Sequence, residues 1–201
     1  RRNAIINKKI KMSQQKKFMI KSGYKIFPDS VSKKASIKLF NFLVKVCQFY
    51  APDLFETRNY KGMWRDKDFN KKLILLRKKN KKIFSAIYNS IVKSSLLYNF
   101  CYENKLDLVA SKFLQTNKDF LTVRNLMLRM DVPNDKRNLY GWHQDSSYWA
   151  VTPCKVVTVW LAIDKVDISN AAMKFIPGSH TYGHVNWEYT KKNAVLNQEI
   201  I

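Results

Sequence analysis

Trp142-His143-Gln144-Asp145 is followed, one loop later, by Val156-Val157-Thr158-Val159-Trp160-Leu161-Ala162-Ile163-Asp164. The second stretch is rich in strand formers. Val157, Val159, Leu161 and Ile163 lie on one side, and Val156, Thr158, Trp160 and Ala162 on the other. Side chains two apart on an extended chain share a face, so His143 and Asp145 can offer an imidazole nitrogen and a carboxylate oxygen to one metal ion. Gln144 points to the opposite face. Plainer readings stand beside this one: a turn histidine that only donates a hydrogen bond, and an aspartate that caps the Ser146-Ser147 turn.

The segments around this core divide the chain in two. Residues 121–132 are strand-like with both faces partly apolar and end at Pro133-Asn134-Asp135, and a short strand at 172–176 precedes the Pro177-Gly178 turn. Upstream, Ser32 caps a helix whose apolar positions Leu39, Phe40, Leu43, Val46, Cys47 and Tyr50 follow helical spacing, and Pro52 ends it. Residues 58–68, with Gly62 and mixed charges, read as loop. Helical spacing returns at Ile83, Phe84, Ile87, Tyr88 and Ile91, and again at Leu106, Val109, Ala110, Phe113 and Leu114. Helices first and strands second predict an α+β fold in which the helices buttress one sheet. Residues 186–201 have weak periodicity.

Composition narrows the class. The 201 residues suffice for one domain with a real core, and 46% apolar with 13% aromatic residues fits a folded chain rather than a disordered one. Cys47, Cys101 and Cys154 are far apart and odd in number, so neither a disulfide framework nor a zinc ribbon is indicated; a reducing cytoplasm is the expected location. No apolar run nears the roughly 20 residues needed to span a bilayer. Met12 is the first plausible start, which makes residues 1–11 upstream translation or tail. The net charge of +22 raises the question of a nucleic-acid or anionic-membrane partner. It comes from 29 Lys and only 8 Arg, spread along the chain with abundant Asn and Ile, the pattern of a coding bias rather than a binding stripe. The densest run, residues 77–82, is the solvated face of a helical region. Nucleic acid is therefore not the expected partner.

Taken together, Arg129-Met130-Asp131-Val132-Pro133, Tyr140-Gly141-Trp142-His143-Gln144-Asp145, Ser147-Tyr148-Trp149, the stretch 156–164 and Met173 through Phe175-Ile176-Pro177-Gly178-Ser179-His180 resemble the phytanoyl-CoA dioxygenase family of Fe(II)- and 2-oxoglutarate-dependent oxygenases. Gly23-Tyr24 through Asp29, followed by a capped helix, resembles the family's N-terminal entry. His143 and Asp145 would be two members of the 2-His-1-carboxylate triad used by such enzymes. The resemblance implies N-terminal helices packed on a double-stranded β-helix, or jelly roll. It implies iron held by His143, Asp145 and a distal histidine, and an Arg that pairs with the far carboxylate of 2-oxoglutarate. It places Trp160 and Met127 near that cosubstrate, although both are also ordinary core residues; Thr158, on the face of Trp160, is a weaker contact. Arg124 and Arg129 are further possible contacts, with a solvent-facing position the commoner fate. Trp142, Tyr148 and Trp149 would wall the entrance.

One departure from the family pattern matters. The three histidines are His143, His180 and His184, and no Arg follows His184. His180 stands at a turn position that is not a ligand in the family, so the third iron ligand and the 2-oxoglutarate-binding Arg are expected beyond Ile201. The domain expectation is accordingly a tail over 1–22 that need not be ordered, then a single domain over 23–201. Its helical part covers 30–117 and its jelly-roll strands 119–201, incomplete at the C-terminus. The expected activity is hydroxylation of a small organic substrate, with 2-oxoglutarate and dioxygen as co-reactants, in a chain that as given is incomplete and inactive. The alternative is a non-catalytic jelly-roll binding module of the same family. A basic nucleic-acid binder is the third reading, and it has a cheap test. The chain is expected not to be retained on DNA or RNA at physiological salt; tight binding with a steep salt dependence would overturn that expectation.

Overall fold

Ser32 starts the first helix, α1 (Lys33–Tyr50), by accepting a hydrogen bond from the Ala35 N–H at its side-chain oxygen. The computed structural model describes residues 21–56, 59–123, 125–132, 140–145, 156–170, 172–183, 187–189 and 194–196. They form two compact units. One comprises Asp29–Asp135 and Val159–Lys165 and is helical; the other comprises Arg1–Pro28, Lys136–Thr158 and Val166–Ile201.

In the helical unit, α1 is followed by α2 (Lys67–Lys79), α3 (Lys81–Val92), α4 (Ser95–Glu103) and α5 (Leu106–Leu114). The breaks between them are written in capping residues. Asp66 accepts from the Asp68 and Phe69 N–H groups, Asn80 from Ile83 and Ser94 from Leu97. Asn80 thus ends α2 and starts α3 within a run of lysines that reads as one helical stretch. The predicted loop at 58–68 is mostly seen, with a single 3-10 turn at Met63–Arg65.

The core of this unit forms on α1. Leu39, Phe40, Leu43 and Cys47 are buried together with Phe55, Tyr60, Phe69, Ile87 and Ile91. Phe69 meets the rings of Phe40 and Tyr60 edge-on, at centroid distances of 5.2 and 5.0 Å. Burial pushes the Cys47 thiol up to about 12.

The α+β jelly roll expected from the sequence does not form among the described residues. Their only strands are β1 (Trp187–Tyr189) and β2 (Ala194–Leu196), a three-residue antiparallel pair with Trp187 opposite Leu196 and Tyr189 opposite Ala194. Residues 125–132, 156–162 and 172–176 run without ladder pairing. The alternating pattern was real, but a helical core uses it instead of a sheet. Leu126, Leu128 and Met130 pack on the helices at every second position, as do Leu161 and Ile163, while Met127 between them is exposed. Strand propensity measures how well a side chain fits a half-buried surface, and a helix face supplies such a surface as well as a neighbouring strand does. Main-chain polar groups find side-chain partners. Arg77 donates to the Met130 carbonyl at 2.7 Å, and the Ser36 hydroxyl donates to the Ile163 carbonyl at 3.2 Å. The same hydroxyl accepts from the Trp64 indole N–H at 2.8 Å, so one buried oxygen links α1, the Met63–Arg65 turn and the extended segment. Arg65 pairs with Asp164 at 2.6 Å nearby.

In the other unit, residues 22–24 lie against the Pro177-Gly178 turn. The Gly178 N–H donates to the Ser22 carbonyl at 2.9 Å, and Tyr24 stacks on Phe175 at 5.0 Å between ring centroids. Gly23, at φ +78°, sits under His180, where a Cβ would come within 2.4 Å of the ring Nδ1. No helix among the described residues is long and apolar enough to cross a membrane. The expectations placed on residues 1–20, Arg124, the Pro133-Asn134-Asp135 turn, Tyr148, Trp149 and His184 fall outside the described residues.

Two outcomes follow from this packing. Ser36→Ala strands the Trp64 indole N–H and the Ile163 carbonyl, and denaturant unfolding should show a loss of about 1–3 kcal/mol; an unchanged midpoint would mean the relay contributes nothing. Cys47 should resist a thiol-specific disulfide reagent at pH 8 in the folded protein and react promptly once denaturant is added. Reaction of Cys47 at the unfolded rate under native conditions would contradict its burial.

Candidate functional site

Residues 140–144 have no helix or ladder and Asp145 is in a 3-10 turn; a bend at Trp142 turns the chain so that His143 and Asp145 converge. The His143 Nε2 lies 3.4 Å from the Asp145 Oδ1, with side-chain exposures of 23% and 44%. Their outer atoms are occupied. The His143 Nδ1 is 2.7 Å from the Gly141 carbonyl, which can only accept, so Nδ1 carries a proton and Nε2 is the ring atom that faces the aspartate. The Asp145 Oδ2 accepts from the Thr158 hydroxyl at 2.5 Å, leaving Oδ1 on the histidine side. Tyr140 packs against the imidazole at 5.6 Å between ring centroids.

Gln144, between the two, turns the other way. Its side-chain N–H group donates to the Gly183 carbonyl at 2.7 Å and fastens the segment to the loop that follows the Pro177-Gly178 turn. An imidazole beside a carboxylate perturbs both. Hydrogen bonding to Asp145 raises the His143 pKa above its ordinary value against the opposing effect of burial. The same bond holds the Asp145 carboxyl below its usual range, again against burial, with Thr158 helping.

Whether an ion fits is a question of span. Two donors on one first-row divalent ion can lie no further apart than twice a bond of about 2.1 Å, so 3.4 Å is well within reach. Neutral imidazole nitrogen with carboxylate oxygen is also the donor mixture of non-haem iron sites. A third donor is another matter: among the described residues, no group of three or more His, Cys, Asp or Glu could hold an ion. His180 is engaged against Gly23 instead.

The structure thus brings together His143, Asp145 and Thr158 in one unit. Trp160 and Met127 belong to the helical unit, where their side chains are 40% and 60% exposed. Arg129 pairs with Asp131 at 3.0 Å. Three contributors went unread in the sequence: the Gly141 carbonyl, the Gly183 carbonyl and Gly23. Main-chain acceptors leave no residue-type signal. Gly23, placed by the sequence in the entry segment, carries no hint that His180 lies over it.

The described residues thus place an imidazole and a carboxylate face to face, each with its outer atom held. A family model, phytanoyl-CoA dioxygenase (PhyH), matches residues 48–198, and the chain belongs to that family. The family is of dioxygenase type and typically depends on Fe(II) and 2-oxoglutarate. No curated protein and no solved structure matches the chain.

Proposed function

We propose that this chain acts as an Fe(II)- and 2-oxoglutarate-dependent dioxygenase that hydroxylates a small organic molecule, with His143 and Asp145 as two of the metal ligands. The observation that carries the reading is the pairing of each ligand with a partner on its far atom. Gly141 holds a proton on Nδ1 and leaves Nε2 on the side of the aspartate, and Thr158 orients the carboxylate so that Oδ1 faces the ring. Outer contacts of this kind fix ring orientation and sharpen affinity in metal sites generally. Family membership supports the same class of chemistry.

Bound iron would supply dioxygen activation coupled to oxidative decarboxylation of 2-oxoglutarate. The rest falls to the chain's own groups. His143 would bind through Nε2 once that nitrogen gives up the proton it shares with Asp145, and Asp145 would contribute charge neutralisation. Thr158 holds Asp145 and is a cosubstrate contact as well; Trp160 and Met127 are the other two assigned to 2-oxoglutarate.

A second reading is a non-catalytic relative that keeps the pair without the chemistry. It is favoured by the want of a third donor among the described residues. Anaerobic Fe(II) titration followed by admission of air with 2-oxoglutarate separates the two. The enzyme reading expects stoichiometric Fe(II) binding, at least tenfold weaker in His143→Ala and in Asp145→Ala, and succinate formation by the wild type. Saturable binding without succinate would favour the non-catalytic relative. Wild-type and variant proteins equally unable to bind would remove the metal site altogether.

A further inference from the structure

The support for the His143–Asp145 pair extends to a part of the chain that lies outside the family match. Three contacts run in series within one unit. Gln144 is tied to the Gly183 carbonyl at 2.7 Å. The 175–183 segment that ends in Gly183 is tied to residues 22–24 by the Gly178–Ser22 main-chain bond and the Tyr24–Phe175 stack. Gly23 makes this possible, since its positive φ and missing Cβ let the His180 ring settle directly on the backbone. Residues 22–24 precede the matched span of 48–198.

We propose that Gln144 is a positioning residue for the metal pair and that residues 22–24 act as the strap holding the loop to which it is anchored. The inference rests on the reading of His143 and Asp145 as ligands. Its physical basis is that residues 140–144, His143 and Gln144 among them, lie in no helix or ladder, so nothing periodic fixes the direction of their side chains. An amide bonded to a main-chain carbonyl sets the rotation of the backbone at residue 144. Because His143 and Asp145 flank that position, the same rotation sets how their side chains converge. Without the anchor the two donors would sample many separations, and an ion would have to order them on binding. Metal sites lose about 10–100-fold in affinity when comparable supports are removed.

The test is Co(II) titration of the full chain, followed by the visible ligand-field bands, on the wild type and three variants. Gln144→Glu keeps the size of the side chain and removes the N–H donor; its carboxylate would face the Gly183 carbonyl. Gly23→Ala loosens the strap without touching the pair. Gln48→Glu is the control, because Gln48 likewise donates its amide to a main-chain carbonyl, that of Glu56, but in the helical unit. Gln144→Glu should weaken Co(II) binding tenfold or more and shift the bands, Gly23→Ala should weaken it about threefold to tenfold, and Gln48→Glu should leave it unchanged. Thermal melting of each variant separates a local loss from unfolding, since a positioning role predicts lost affinity at a melting temperature close to wild type. Wild-type binding with undiminished affinity in Gln144→Glu would overturn this inference alone. Equal losses in all three variants would overturn it as well, by showing a general effect on stability. A wild-type protein that binds no Co(II) would sink the ligand reading and this inference with it.

Discussion

The hydrogen bond between His143 Nδ1 and the Gly141 carbonyl is the constraint on which the site depends. A carbonyl has no proton to give, so the ring keeps a proton on Nδ1, and Nε2 is the nitrogen that faces Asp145 and can exchange its own proton. Without that bond the tautomer is open, and the ring could turn either nitrogen toward the carboxylate. Thr158 does the matching service for Asp145 by occupying its other oxygen. The pair is therefore held from both outer sides, with Nε2 and Oδ1 facing each other at 3.4 Å.

The helical unit rests on a different constraint, the need to cover one apolar helix. The α1 stripe of Leu39, Phe40, Leu43 and Cys47 is covered by Phe69 of α2, by Ile87 and Ile91 of α3, and by two extended segments that contribute every second side chain. Ser36 is the polar exception within it. The hydroxyl is tolerated because it both accepts from Trp64 and donates to Ile163, so that neither buried partner is left unsatisfied.

Much of this was legible in the sequence, and the failures are instructive. The α1 cap at Ser32 and its buried stripe follow from spacing alone, because a helix satisfies its own backbone and only its apolar face needs outside help. The strands could not be read in the same way. Alternation at Leu126, Leu128 and Met130, or at Leu161 and Ile163, fixes which side chains turn inward, yet it is silent on whether a strand or a helix receives them. The expectation of a jelly roll took the pattern for the partner. At the site, the spacing of His143 and Asp145 led to the idea of a shared ion through strand geometry. In the structure a bend, not a strand, brings the two together. The main-chain acceptors that hold the segment, Gly141 and Gly183, had no signal to read, because every residue has a carbonyl and only the fold decides which ones are used.

Extended X-ray absorption at the iron K-edge of the anaerobically Fe(II)-loaded chain tests the central claim most directly. The account predicts oxygen and nitrogen neighbours with the multiple-scattering signature of imidazole, reduced in His143→Ala by one ring. A spectrum without imidazole scattering, or one identical in the wild type and His143→Ala, would contradict it.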